Sequence, residues 1–135
     1  MLSSHDHTIL VVDDFESIRK VISETLNRHG FTTVHARNGK DALDILQKGY
    51  HKIDLILSDY NMPDMSGFDL LKEVKSSQEL KKHPFILLTS ETNTEKKKQA
   101  KEAGLDAWIE KPYKIESFIS LIKYNIDKSK KDVSI

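Results

Sequence analysis

The chain has no cysteine. That excludes a disulfide framework, a thiolate metal site and a cysteine nucleophile, and it fits a reducing compartment. It has no surplus of either charge: 21 Lys+Arg face 21 Asp+Glu, for a formal net charge of zero. General nucleic-acid binders and binders of acidic membranes carry a cationic excess, so neither role is expected. No apolar run approaches a membrane span, and the segment from Met1 to Thr8 is polar, without the apolar stretch of a signal peptide. A cytoplasmic protein with no membrane insertion is expected. Proline and glycine are few, 3 and 5 residues, and no linker or low-complexity region is visible. The 135 residues suffice for one domain with a real core and are too few for two ordinary ones.

What is present is a regular alternation. Thr8 to Val12 is a short apolar, β-branched run that stops at Asp13-Asp14, and it reads as a strand buried on both faces. Ile18, Val21, Ile22 and Leu26 recur at helical spacing, with Gly30 as the stop. Phe31 to Ala36 is a second strand. Asn38 caps a helix carrying Ala42, Leu43 and Leu46, which ends near Gly49. Ile53 to Ser58 is a third strand, halted by Asp59, and Asn61 to Ser66 is loop. Ser66 caps a helix that buries Leu70, Leu71 and Val74. Pro84 to Thr89 is a fourth strand, and Thr92-x-x-Glu95 is a capping-box pattern opening a helix that ends at Gly104. Asp106 to Glu110 is a short fifth strand. The last helix, after Pro112, has Ile115, Phe118, Ile119, Ile122 and Ile126 on one face. This gives an extension over residues 1–7, one domain over 8–127, and a frayed lysine-rich tail over 128–135.

Five strand–helix pairs in strict alternation imply an α/β fold, a parallel sheet covered by helices on both sides. Such sheets bind ligands beyond the carboxyl ends of their strands. Those ends carry Asp13 and Asp14, then Asp59, Thr89 and Lys111. In the flavodoxin-like strand order 2-1-3-4-5, a (βα)5 three-layer sandwich, the first and third strands are adjacent and the three aspartates converge. Three carboxylates so close require cations, and Mg2+ with oxygen ligands answers this, with Lys111 as a second positive charge. An acid nucleophile, a metal, a lysine and a hydroxyl are the parts of phosphoryl transfer. Each residue alone reads as something ordinary: a helix cap, a loop acid, a strand-end hydroxyl, a turn. Their joint placement on one sheet edge favours the site.

Val11-Val-Asp-Asp14, the run from Ser58 to Gly67 (SDYNMPDMSG), Leu88-Thr89 and Glu110-Lys-Pro112 resemble the receiver domain of two-component signalling, and within it the single-domain chemotaxis regulators. The resemblance spans roughly Thr8 to Asn125. It implies that Asp59 accepts a phosphoryl group from a phosphohistidine on a partner kinase. It implies that Asp14 and Asp59 ligate Mg2+, Asp13 acts directly or through water, and the Asn61 backbone carbonyl completes the ligands. Lys111 then pairs with the phosphoryl oxygens, Thr89 moves to bond them, and Lys111-Pro112 is a candidate cis peptide. Trp108 takes the place of the switch aromatic, where Tyr or Phe is usual. Asn61 and Glu91 occupy the positions that tune hydrolysis, and their combination implies a short-lived phosphoryl state.

The fourth helix has a weak apolar face, with Ala100 and Ala103 against Lys96, Lys97, Lys98 and Lys101, so its position is expected to shift easily. The expected output face comprises the fourth helix, fifth strand and fifth helix, including Lys97, Trp108 and Tyr113. A solvated lysine face is an equally good reading of that helix. The histidines are scattered and read as surface residues, Met62 and Met65 as loop packing, and Tyr60 either as packing or as a shaper of phosphodonor access. Expected partners are a histidine kinase or phosphotransfer protein, a downstream target protein and a phosphatase, with the receiver a monomer or weak dimer. A phosphorelay intermediate or kinase-regulating receiver is the runner-up. An aspartyl-phosphate phosphohydrolase is remote, since Asn61 stands where a second aspartate is wanted. A flavin binder is more remote still, since Asp13-Asp14 repels a phosphate.

Overall fold

The computed structural model describes residues 7–133. Strands and helices alternate along it as β1 (Thr8–Val12), α1 (Glu16–Arg28), β2 (Thr32–Ala36), α2 (Gly39–Lys48), β3 (Leu55–Ser58), α3 (Gly67–Ser76), β4 (Phe85–Thr89), α4 (Thr94–Glu102), β5 (Ala107–Glu110) and α5 (Ile115–Val133). Every strand pairing is parallel, in the order β2-β1-β3-β4-β5. The expected flavodoxin-like α/β sandwich is the architecture observed. No helix among the described residues is long and apolar enough to cross a membrane.

The layering follows from the period-two alternation of strand side chains. Leu10, Val12, Ile56 and Leu87 face one core, with Leu46 of α2, Leu70, Leu71 and Val74 of α3, and Ala100 of α4. Ile9, Val11, Leu55, Leu57, Ile86 and Leu88 face the other, with Ile22 and Leu26 of α1 and Phe118, Ile119 and Ile122 of α5. The central strands β1, β3 and β4 are therefore apolar at every position but one each, Thr8, Ser58 and Thr89.

Local signals set most of the helix ends. The Asn38 side chain accepts from the Asp41 N–H at 2.7 Å, and Gly49 closes α2 in the left-handed region at φ 67°. Ser66 and Asp69 form a reciprocal capping box on α3.

Four expectations need correction. The capping box on Thr92 and Glu95 is not formed: Asn93 is the cap, accepting from the Lys96 N–H at 2.9 Å. The Glu91 carboxylate has taken the N–H groups of Thr92 and Asn93, which moves the helix start onward. Val21 is 60% exposed, because the buried line of α1 runs through Ile22 and Leu26 with Arg19, Ser23 and Thr25 beside it. Ile115, in the first turn of α5, also faces outward. Lastly, residues 128–133 continue α5, whereas residues 1–6 and 134–135 lie outside the described part. Within this continuation the Lys130 ammonium pairs at 3.5 Å with the buried carboxylate of Asp54.

The strands also begin slightly later than expected. Asp54 and Asp106 are not strand residues. Their carboxylates accept the first N–H of the neighbouring strand, Thr8 and Phe85 respectively, each at 2.8 Å. They satisfy donors that the sheet edge leaves unpaired.

Gly67 provides a test of the close packing between α3 and the end of β3. A Cβ there would run into the Asp59 carbonyl oxygen and lie 2.8 Å from Leu87 Cδ2. Gly67→Ala is expected to cost about 3 kcal/mol in urea unfolding. Gly49→Ala meets nothing within 4 Å and should cost only about 1 kcal/mol through its positive φ. Equal costs at the two positions would contradict the close approach.

Candidate functional site

Val12 and Ser58 are register partners, so the chains leaving β1 and β3 run side by side. The ladder extends one residue further, with the Asp59 N–H donating to the Val12 carbonyl at 3.1 Å and the Asp13 N–H to the Ala36 carbonyl at 3.2 Å. On the other side, Thr89 pairs with Glu110, and the Lys111 N–H donates to the Thr89 carbonyl at 2.9 Å. Backbone pairing thus delivers Asp13, Asp14, Asp59, Thr89 and Lys111 to one edge of the sheet. Lys111-Pro112 is cis, as expected.

Asp13, Asp14 and Asp59 each place a carboxylate oxygen within 4.8 Å of the others. At the effective dielectric of such sites, a pair of unit charges at that separation repels by roughly 3 kcal/mol. Burial pushes the Asp13 carboxyl above its ordinary range, and Asp59 and Asp14 push it further. The N–H of Phe15, donating to Asp13 at 2.9 Å, and the positive charge of Lys111 act in the opposite direction. One Asp59 oxygen accepts the Tyr60 N–H at 2.7 Å. Asp14 Oδ1 is buried and has no hydrogen-bond partner among the described residues. An orphaned carboxylate oxygen beside two other carboxylates is the all-oxygen donor set that suits a hard divalent cation. Among the described residues it is also the only cluster of three or more such groups placed to share a metal. None of the described histidines belongs to one.

Arg19 escaped the sequence reading. It is a buried guanidinium whose Nη1 donates to the Asp13 carbonyl at 2.6 Å, so α1 reaches back to fix the loop that carries two of the three aspartates. The one available signal was its place beside Ile18 and Ile22 on the inward face of α1.

The remaining residues form a continuous set around the aspartates. Thr89 is fully buried, and its hydroxyl accepts the Glu91 N–H at 3.1 Å. Glu91 is engaged by the Lys96 ammonium at 3.0 Å, which holds its carboxyl below the usual range. The same ammonium lies 5.3 Å from the centre of the Tyr60 ring. Tyr60 stacks on Phe68 at 6.4 Å and meets Trp108 at 5.7 Å. Tyr60 is therefore buried packing that ties the residue after Asp59 to α4 and β5. Met62 and Met65 pack on the same core. Trp108 is half-buried, and its indole N–H is buried without a partner among the described residues. Asn61 is exposed. Lys97 pairs with Glu110 at 3.9 Å, across the α4–β5 surface. Tyr113 is half-buried: its ring lies 4.7 Å from Phe118 and packs on the second core.

Residues 9–123 match the response regulator receiver domain. The chain belongs to the response regulator receiver family. The receiver is 40% identical over 106 residues to chemotaxis protein CheY-3 of Vibrio cholerae, covering 78% of this chain and 80% of that one. It is 32% identical to the polar-differentiation response regulator DivK of Brucella anthropi, over 86% of this chain and 93% of that one. The solved structure of Vibrio cholerae CheY4 is similar at a TM-score of 0.80 and 37% identity, covering 88% of this chain and 98% of that chain. The receiver is thus CheY-like and part of a two-component system.

Two substitutions test the electrostatics of the receiver. Asp13→Asn keeps an acceptor for the Phe15 N–H and removes one charge. A raised folded-state pKa means that ionised Asp13 costs stability, and the cost sets in as pH rises through that pKa. At neutral pH the metal-free variant should be more stable than wild type. Mg2+ should raise the Tm of wild type well above any effect on the variant, as calorimetry would show. Arg19→Ala should cost about 2 kcal/mol through loss of a charged hydrogen bond, and it should weaken Mg2+ binding. Unchanged Mg2+ affinity in a folded Arg19→Ala protein would remove Arg19 from the site.

Proposed function

We propose that this receiver is a cytoplasmic phosphorylation switch with Asp59 as its phosphoacceptor. The observation that carries the reading is the convergence of three carboxylates, one with an orphaned oxygen, beside Thr89 and Lys111 on the carboxyl edge of the sheet. Asp14 and Asp59 would hold Mg2+, with Asp13 acting directly or through water and the Asn61 backbone carbonyl completing the protein ligands. Bound there, Mg2+ supplies positive charge to phosphoryl oxygens.

The free carboxylate oxygen of Asp59 attacks the phosphorus of a phosphohistidine on a partner kinase or phosphotransfer protein. The P–N bond breaks and the imidazole leaves, while Lys111 balances charge on the phosphoryl oxygens. The Thr89 hydroxyl then gives up the Glu91 N–H and hydrogen-bonds the phosphoryl group. That release frees the segment leading into α4, which has only Ala100 buried and is lightly held. Trp108, already against Tyr60, follows the change, and Lys97, Trp108 and Tyr113 mark the surface read by a downstream target. Asn61 and Glu91 set how fast water removes the phosphoryl group, alone or with a phosphatase. The receiver catalyses only its own phosphorylation and dephosphorylation, and acts as a monomer or weak dimer.

The kinship with CheY-3 favours motility control as the output. The comparable kinship with DivK supports a second reading, a phosphorelay intermediate or kinase-regulating receiver. The shared domain serves either pathway.

Titration with a small phosphodonor and Mg2+, followed by intact mass and Trp108 fluorescence, tests the switch. One phosphoryl adduct and a fluorescence change should appear together, require Mg2+, and be absent from Asp59→Asn. They should decay within minutes. An adduct without a fluorescence change would remove Trp108 from the switch. A form persisting for hours would contradict the assigned roles of Asn61 and Glu91.

A further inference from the structure

At the opposite edge of the sheet from the aspartates, a cleft of about 570 Å³ opens between the start of β3, the α3–β4 connection and the last turns of α5. We propose that this cleft binds a small organic anion with an apolar body, of the nucleotide class. Its apolar lining is Leu46, Ile53, Leu80, Pro84 and Ile126, and its size lies in the range of small-ligand sites.

The charge around the cleft selects the ligand. Together with a smaller cleft that shares Lys82, Pro84 and Ser129, it is lined by six lysines and three acids. The chain as a whole is neutral, so this edge carries a cationic surplus that the rest of the molecule offsets. Two of the three acids are already engaged. Asp54 accepts the Thr8 N–H and pairs with Lys130. Asp106 accepts the Phe85 N–H and pairs with Lys75, whose ammonium also donates to the carbonyls of Lys81 and His83. Within the cleft itself, Lys52 and Lys82 are left without a carboxylate partner among the described residues, opposed only by Glu79, and Lys81 and Lys128 of the smaller neighbouring cleft are likewise unpaired.

Unpaired ammonium groups around an apolar floor match a ligand that is both anionic and apolar. A bare anion leaves the floor uncovered, and a neutral apolar molecule leaves the lysines unused. The cleft sits at the amino ends of the strands. Ile53 and Asp59 are separated by about 20 Å of extended chain, so the site is independent of the phosphoacceptor.

The full chain, without Mg2+, should be titrated with ATP and separately with inorganic triphosphate, following backbone amide NMR shifts. Saturable one-to-one ATP binding with shifts centred on Ile53, Leu80 and Ile126 is expected, with triphosphate about tenfold weaker. Lys52→Glu with Lys82→Glu should weaken ATP at least about tenfold, while Lys20→Glu on the exposed face of α1 should change nothing. If the double variant loses its native amide spectrum, Lys52→Glu alone is the comparison. Four results would each overturn the proposal: no saturation, equal affinity for triphosphate, unchanged affinity in the charge-reversed variant, or shifts centred on Asp13, Asp59 and Lys111.

Discussion

Three carboxylates held within 4.8 Å of one another at the ends of β1 and β3 are the constraint on which this molecule turns. The fold forces them together through backbone pairing, which their own repulsion opposes. Proteins usually avoid such arrangements or place a cation among them. Here the local cations are Lys111, close enough to lower the Asp13 pKa, and Arg19, which holds the Asp13 carbonyl. Neither satisfies the buried Asp14 oxygen. The stability given up at this edge is offset by two apolar cores, in which nearly every residue of the central strands is buried. Strain at a site, supported by good packing elsewhere, is a common pattern for functional centres.

The same edge explains how a local charge event could spread. Thr89, Glu91, Lys96, Tyr60 and Trp108 form one connected set of hydrogen bonds and ring contacts. It begins at a buried hydroxyl beside the aspartates and ends at a half-buried indole on β5. The helix it borders is the least anchored of the five, with a single small residue in the core. A weakly held element joined to a charged site by a few polar contacts is suited to two-state behaviour.

Much of this was legible in the chain. The strands β1, β3 and β4 were readable because burial on both faces demands continuous apolar runs, and each run stops where a polar site residue begins. Asn38 and Ser66 were readable as caps because the chemistry is local. Apart from Val21 and Ile115, assigned to the wrong face of their helices, the failures were long-range or competitive. Glu91 displaced Thr92 and Glu95 from the start of α4 by taking the amides first. The continuation of α5 brings Lys130 to Asp54, far away in sequence. Arg19 was passed over because arginine is rarely buried, and nothing in its neighbours showed the carbonyl it would meet.

Of the three crowded carboxylates, Asp59 alone should carry the phosphoryl group. Borohydride reduction of phosphodonor-treated protein, followed by peptide mass mapping, tests this directly, because reduction converts an aspartyl phosphate to homoserine. Homoserine is expected at position 59, formed only when Mg2+ was present during phosphorylation. Homoserine at Asp13 or Asp14, or at none of the three, would contradict it.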